Sequence, residues 1–179
     1  MKMKAVTVFC GSKSGHKEAY TQLAIELGQG LAQKGIQLVY GGGGKGIMGA
    51  IADACLSMGG KVLGIIPKLL LEWEAQHAGL TELIVTEDMH SRKLLLYDKC
   101  DAAIILPGGM GTLDELFEML TWNNLRIHDK KVYVLNMHGY YDHLLGLLDQ
   151  MEQEGFLYDN WRDRFIVCEN AKSILSALS

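Results

Sequence analysis

The chain is predicted to be an α/β protein, an open and mostly parallel sheet with helices on both faces. Three observations predict it. Strand and helix patterns alternate along the whole sequence, as repeated βα units require. Ala102-Ala103-Ile104-Ile105-Leu106 is an unbroken apolar run, expected of a strand covered on both faces. Glycine-rich turns follow three of the strands, at the edge where such sheets bind ligands.

The elements follow in order. Ala5 to Phe9 reads as the first strand and Gly11 to Gly15 as a polar turn. From Lys17 to Lys34, Tyr20, Leu23, Leu27 and Leu31 repeat at helical spacing, and Gly35 stands where a C-cap favours a residue without Cβ. Ile36 to Tyr40 is a strand, followed by the run Gly41 to Gly49 and a helix to about Met58. Val62 to Ile66 is a third strand, closed by Pro67, and Lys68 to Leu80 a loop with a short helical piece. Leu83 to Val85 is a short strand and Met89 to Lys99 a helix. After the strand ending at Leu106, a helical pattern starts at Asp114, with Leu116, Phe117, Leu120 and Leu125 on it. Strand Val132 to Leu135, a helix from about Asp142 to Glu154, strand Phe165 to Val167 and a helix from Ala171 complete the chain. No repeat, linker or low-complexity tract interrupts it, so residues 1–179 are expected to form a single domain.

Composition narrows the function classes. Of 179 residues 49% are hydrophobic, enough for one full core. The net charge of −4, with no dense Lys/Arg cluster, argues against nucleic acid as a partner. Cys10, Cys55, Cys100 and Cys168 form no CxxC pair, and Cys10 and Cys100 end or flank apolar runs as small core residues do. A reduced, cytoplasmic protein is expected. Met1 to Lys4 is basic, but Ala5 to Cys10 is too short for a signal core or a membrane span. The six histidines lack HExxH spacing, and no metal is expected.

Chemistry concentrates in Pro107-Gly108-Gly109-Met110-Gly111-Thr112-Leu113-Asp114-Glu115. Proline ends the preceding strand, and the glycines let the backbone turn and approach a ligand. A strand, a glycine turn and a helix N-terminus make an anion site, with free amides at the positive dipole end. Glu115, expected in the first helical turn, would sit close to whatever those amides hold; the plainer reading is that it only satisfies the dipole.

Two further stretches add to this. Gly44-x-Gly46-x-x-Gly49 matches the dinucleotide fingerprint in form, but no acid stands around Ile65 to Leu69 to bind a cofactor ribose. A Walker P-loop fails too, because Gly46 follows Lys45. These glycines, Gly44 among them, suggest one nucleotide phosphate. In Asp88-Met89-His90-Ser91-Arg92-Lys93, two cations fall near a helix start, where the dipole disfavours them. Either a ligand phosphate or a carboxylate neutralises them, or they form a solvated surface pair.

Together these residues resemble the LOG (LONELY GUY) family. Pro107 to Glu115 matches its PGGxGTxxE motif, and Met89 to Lys93 its companion motif with the Arg-Lys pair. The likeness continues through Gly41 to Gly43, Gly46 to Gly49, Thr121-Trp122 and Gly139-Tyr140-Tyr141, covering roughly Val6 to Phe156. The resemblance implies a Rossmann-like fold, a homodimer or larger assembly, and a phosphoribohydrolase, although members are often labelled lysine decarboxylases. Such enzymes cleave the N-glycosidic bond of nucleoside 5′-monophosphates, cytokinin ribotides in particular, to free base and ribose 5-phosphate. It implies Arg92 and Glu115 as the catalytic pair. It further implies nucleotide contacts at Glu74, Lys93, Gly109, Met110, Gly111, Thr112 and Thr121. Ser12 falls in the first loop, where this chain has Ser12-Lys13-Ser14 and many relatives have paired serines; the resemblance gives Ser12 a phosphate role.

The residue types suit that reaction. Breaking C1′–N builds positive charge on the ribose, which a carboxylate such as Glu115 stabilises while it holds ribose hydroxyls or orients water. Arg92 would bind the phosphate or the departing base. The phosphate supplies remote binding energy, and no cofactor is implied. A non-catalytic nucleotide carrier of the same fold is the alternative, and a pyridoxal-phosphate decarboxylase a third. The helix after the motif carries Leu116, Phe117, Met119, Leu120, Trp122 and Leu125, more than one stripe. Met119 and Trp122 are expected on its surplus face, with Trp122 at a homodimer seam.

Overall fold

The computed structural model describes residues 3–71 and 76–178. Among these residues seven strands form one sheet: β1 (Ala5–Phe9), β2 (Gln37–Tyr40), β3 (Val62–Pro67), β4 (Glu82–Thr86), β5 (Ala102–Ile105), β6 (Lys131–Leu135) and β7 (Ile166–Cys168). Their order is β4-β3-β2-β1-β5-β6-β7, and every neighbouring pair is parallel. This is the Rossmann-like arrangement, with helices on both faces. The chain builds outward from β1 to β4, then returns to lay β5 against the other side of β1.

The helices are α1 (Glu18–Lys34), α2 (Gly46–Ser57), α3 (Lys68–Leu71), α4 (Met89–Asp98), α5 (Met110–Asn124), α6 (Asp142–Gln153) and α7 (Ala171–Ala177). Alternation along the central strands sorts the core into two layers. Val6 and Val8, Leu38 and Tyr40, and Ala102 and Ile104 face one cluster, which α1, α2 and α7 close with Leu27, Ile51 and Ile174. Ala5 and Phe9, Val39, and Ala103 and Ile105 face the other, closed by Leu96 of α4, Leu116 and Met119 of α5 and Leu148 of α6. Gly35 caps α1 in the left-handed region, at φ 68°, as its position predicts.

Three expectations need correction. Pro67 is the last residue of β3 rather than a stop beyond it. Helix α5 begins at Met110, four residues before Asp114, because its first turn carries glycine and no apolar period by which to recognise it. Glu115 therefore lies in the second turn. Met119, expected on a surplus face, is 0% exposed and belongs to the same buried cluster as Trp161 and Phe165. Trp122 is half-buried, its ring edge-on to Tyr97 with centroids 4.6 Å apart.

Candidate active site

Neighbouring strands that feed connections in opposite directions leave a crevice beyond their C-terminal ends. Here that crevice lies between β1 and β5. The Gly11 amide donates to the Pro107 carbonyl at 3.1 Å, and the Met48 amide to the Gly11 carbonyl at 3.3 Å. The loops after β1 and β5 and the first turn of α2 are thus bound to one another. They enclose a cleft of about 630 Å³.

Residues Gly109 to Thr112 line one side of the cleft as the N-cap and first turn of α5. The first amides of a helix have no carbonyl a turn earlier to accept from them, so they are available to an anion. Ser12, Lys13 and Ser14 line the facing loop.

Glu115 is carried one turn deeper by the same helix. It is 9% exposed. Burial raises its pKa from 4.5 to about 7, opposed by Arg92 and Lys93 and reinforced by Asp114 and Glu118. Near neutrality it is divided between acid and carboxylate, the range in which a catalytic carboxyl is useful.

Arg92 comes from α4, which Asp88 caps by accepting from the Ser91 amide at 2.7 Å. Its Nε donates to the Ile65 carbonyl at 3.2 Å, and Nη2 stands 4.0 Å from Glu115 Oε1. That separation is an ion pair without a short hydrogen bond. Gly41, at the end of β2, makes the seat: a Cβ there would collide with Arg92 Nη2.

Lys93, one residue on, is turned about 100° around the helix and faces α5. It pairs with Asp114 at 2.7 Å and Glu118 at 3.2 Å, and Glu118 accepts from the Tyr97 hydroxyl at 2.6 Å. Carboxyl groups of α5 therefore partner both cations in the free protein, Lys93 closely and Arg92 at longer range, and the pair is not a solvated surface one.

The cleft brings together Arg92, Glu115, Ser12 and Gly109 to Thr112. It does not bring in Lys93, Thr121 or Gly44. Lys93 is used in the α4–α5 clasp. Thr121 lies six residues past Glu115, well over a turn along α5 and on another face, and is exposed. Gly44 is exposed at the loop tip. Ile47 and Met48 reach the cleft from that stretch instead. Glu74 lies outside the described residues.

Several lining residues escaped the sequence reading. Cys10 borders the cleft, and burial, then the charge of Glu115, push its thiol well above the ordinary range and keep it protonated. Tyr20, assigned only to a helical face, and Tyr140 close the rim with rings 5.6 Å apart. The rule that sites lie beyond strand C-termini, extended to β6, would have found Tyr140. Among the described residues no group of three or more metal-ligating side chains occurs. Nor is any helix there long and apolar enough to cross a membrane.

Comparison with known proteins finds relatives over almost the whole chain. The family model described as "Possible lysine decarboxylase" matches residues 48–178. The cytokinin riboside 5′-monophosphate phosphoribohydrolase of Rhodococcoides fascians is 45% identical over 176 residues, 98% of this chain and 89% of that one. An Arabidopsis thaliana enzyme of the same name is 44% identical over 177 residues, 99% of this chain and 83% of its own. Among solved structures, the molybdenum cofactor carrier protein of Chlamydomonas reinhardtii superposes with a TM-score of 0.74 at 20% identity, covering 99% of this chain and 96% of that one. The corresponding cofactor-binding protein of Rippkaea orientalis gives the same score and identity, and both likenesses concern the fold alone. With two relatives near 45% identity over almost its whole length, and with Arg92, Glu115 and the Gly109 to Thr112 turn lining one cleft, the chain belongs to the LOG family of cytokinin riboside 5′-monophosphate phosphoribohydrolases.

Proposed function

We propose that the protein hydrolyses the N-glycosidic bond of a nucleoside 5′-monophosphate, a cytokinin ribotide or AMP-like nucleotide, to the free base and ribose 5-phosphate. One observation carries the reading: a buried carboxyl, Glu115, faces a buried arginine one helical turn behind an anion-binding helix start. The 5′-phosphate rests on the amides of Gly109 to Thr112 with Ser12 opposite, and this remote binding positions the sugar. As C1′–N lengthens, the bonding pair leaves with the base and the ribose becomes cationic. The Glu115 carboxylate stabilises that cation and orients a water whose oxygen bonds to C1′. The water's proton ends on the departing base. Arg92, beside Glu115 rather than in the amide cradle, donates to the reacting end and keeps the carboxylate in place.

A carrier without turnover is not favoured, because relatives at 44–45% identity are named hydrolases and both Arg92 and Glu115 are present. Nor do the residues suit a pyridoxal-phosphate decarboxylase. Such an enzyme needs a buried Schiff-base lysine, and the lysine among the described lining residues is Lys13, in an exposed loop. We place the enzyme in the cytoplasm, where its four cysteines, all free and buried, would stay reduced. We also infer a homodimer. Leu94, Leu125 and Ile127 remain exposed around α4 and α5, apolar surface that a second copy would cover.

Released base, assayed over a panel of nucleosides and their 5′-monophosphates, tests the reaction. Monophosphates are expected to be cleaved and nucleosides hardly at all. Equal rates for adenosine and its monophosphate would remove the phosphate from the mechanism.

A further inference from the structure

The Gly108–Gly109 peptide stands at the entrance to the amide cradle and is flanked by glycine on both sides. Such a peptide flips readily, because neither neighbour has a Cβ to resist the change in ψ and φ. A flip would turn a carbonyl oxygen to the side that the N–H had faced, and an oxygen repels an anion. The loop therefore needs something to hold the orientation.

Three successive carbonyls here are each held by a donor. The Leu106 carbonyl accepts from the Tyr141 hydroxyl at 2.7 Å, that of Pro107 from the Gly11 amide at 3.1 Å, and that of Gly108 from the Tyr140 hydroxyl at 2.5 Å. Two of the three donors come from adjacent residues after β6. His138 and Gly139 both adopt positive φ, 54° and 69°, and turn the chain sharply. Asn136 secures the turn by accepting from the Tyr141 amide at 2.7 Å and donating to Asp142 at 2.7 Å. Tyr141 is thereby buried and Tyr140 left at the cleft rim, 40% exposed, its ring packed edge-on against Tyr20 and Tyr141.

We propose that Tyr140 is a positioning residue for phosphate recognition: its hydroxyl, by capturing the Gly108 carbonyl, locks the Gly108–Gly109 peptide. In a trans peptide the carbonyl and N–H point in opposite directions, so holding one fixes the other. Tyr140 thus sets the Gly109 amide as a donor to the ligand's phosphate without being consumed in the chemistry. Tyr141 performs the neighbouring, purely internal task of holding Leu106. The assignment rests on the phosphate-binding part of the proposed function.

Calorimetric titration with ribose 5-phosphate and with adenine, on the unaltered protein and on Tyr140→Phe, separates the roles. The variant keeps the ring and loses one hydroxyl. Its affinity for ribose 5-phosphate is expected to fall about tenfold, the loss of one hydrogen bond's ordering effect, with adenine affinity unchanged. KM for a nucleoside 5′-monophosphate should rise by a similar factor, with kcat within about twofold. Tyr141→Phe, which strips a buried carbonyl of its donor, should instead lower Tm and weaken both ligands. Unchanged ribose 5-phosphate affinity in Tyr140→Phe, or an equal loss for adenine, overturns the proposal. Because binding is read without turnover, an unaltered protein that binds ribose 5-phosphate but releases no base refutes the hydrolase while still judging Tyr140. One that binds no ribose 5-phosphate overturns both.

Discussion

Glu115 ties the proposed chemistry to the stability of the fold. Unfolded, its carboxyl titrates near 4.5, and folded near 7. Between those values the folded chain keeps a proton that the unfolded chain has released. Stability therefore falls as pH rises through that window, by on the order of 3 kcal/mol, and the loss is complete above about 7. Glu115→Gln removes the penalty. Its Tm is expected to exceed that of the unaltered protein at pH 8 and to match it at pH 4.5, which thermal scans at the two pH values would check. The same substitution should cut base release by about 10²- to 10⁴-fold while nucleotide binding persists, as for other lost transition-state charge partners. With the carboxylate as the working form, kcat/KM should rise with pH to a plateau above about 7. A profile falling over that range would make Glu115 an acid instead.

Two helices from different βα units must meet for this site to exist. Helix α4 supplies Arg92 and α5 supplies Glu115, and Lys93, Asp114, Glu118 and Tyr97 clasp the two together beside the pair. The other constraint on Arg92 is the end of β2. Gly41→Ala is expected to displace the guanidinium and lower kcat by about 10²-fold, since small misplacements near the chemistry are costly. Ultraviolet circular dichroism should report an intact fold, and normal kcat in that variant would mean that Arg92 tolerates another seat. Much of this level was legible in the sequence. Every strand was found within two residues, because buried parallel strands read as apolar runs, and Arg92, Glu115 and the Gly109 to Thr112 turn lie where the crevice rule puts them. What escaped was directional. Nothing in spacing reveals that Lys93 turns from the cleft while Arg92 turns into it, since both follow from how α4 is rotated against β3. Met119 misled because an apolar residue off the main stripe reads as surplus until the C-terminal residues Trp161 and Phe165 are known to join it in one core. Tyr140, quoted only as part of the family likeness, received no role because its partner is a backbone carbonyl, which leaves no mark on composition.

For the whole molecule, the proposed homodimer draws on what the two layers leave uncovered. Met119 lies inside the chain and Trp122, expected at the seam, is half-buried against Tyr97. Leu94, Leu125 and Ile127 are among the apolar side chains still exposed around α4 and α5. Light scattering at micromolar concentration is expected to return twice the chain mass, and Leu125→Lys with Ile127→Lys to shift it towards one. A single-chain mass for the unaltered protein would refute the dimer.

The strand order also has a consequence for synthesis. While only the first half of the chain has left the ribosome, the available sheet is β4-β3-β2-β1, and the future centre of the molecule is one of its edges. The Ala5 amide waits for Asp101, 96 residues on, and β1 for β5 just beyond. At synthesis rates of ~5–20 residues per second, that wait is about 5–20 s. Throughout it, β1 presents an unpaired ladder beside the apolar faces of Val6, Val8 and Phe9, a template for pairing with any other strand nearby. The crevice that makes the enzyme is the scar of that late closure, and its two sides come from halves of the chain synthesised seconds apart.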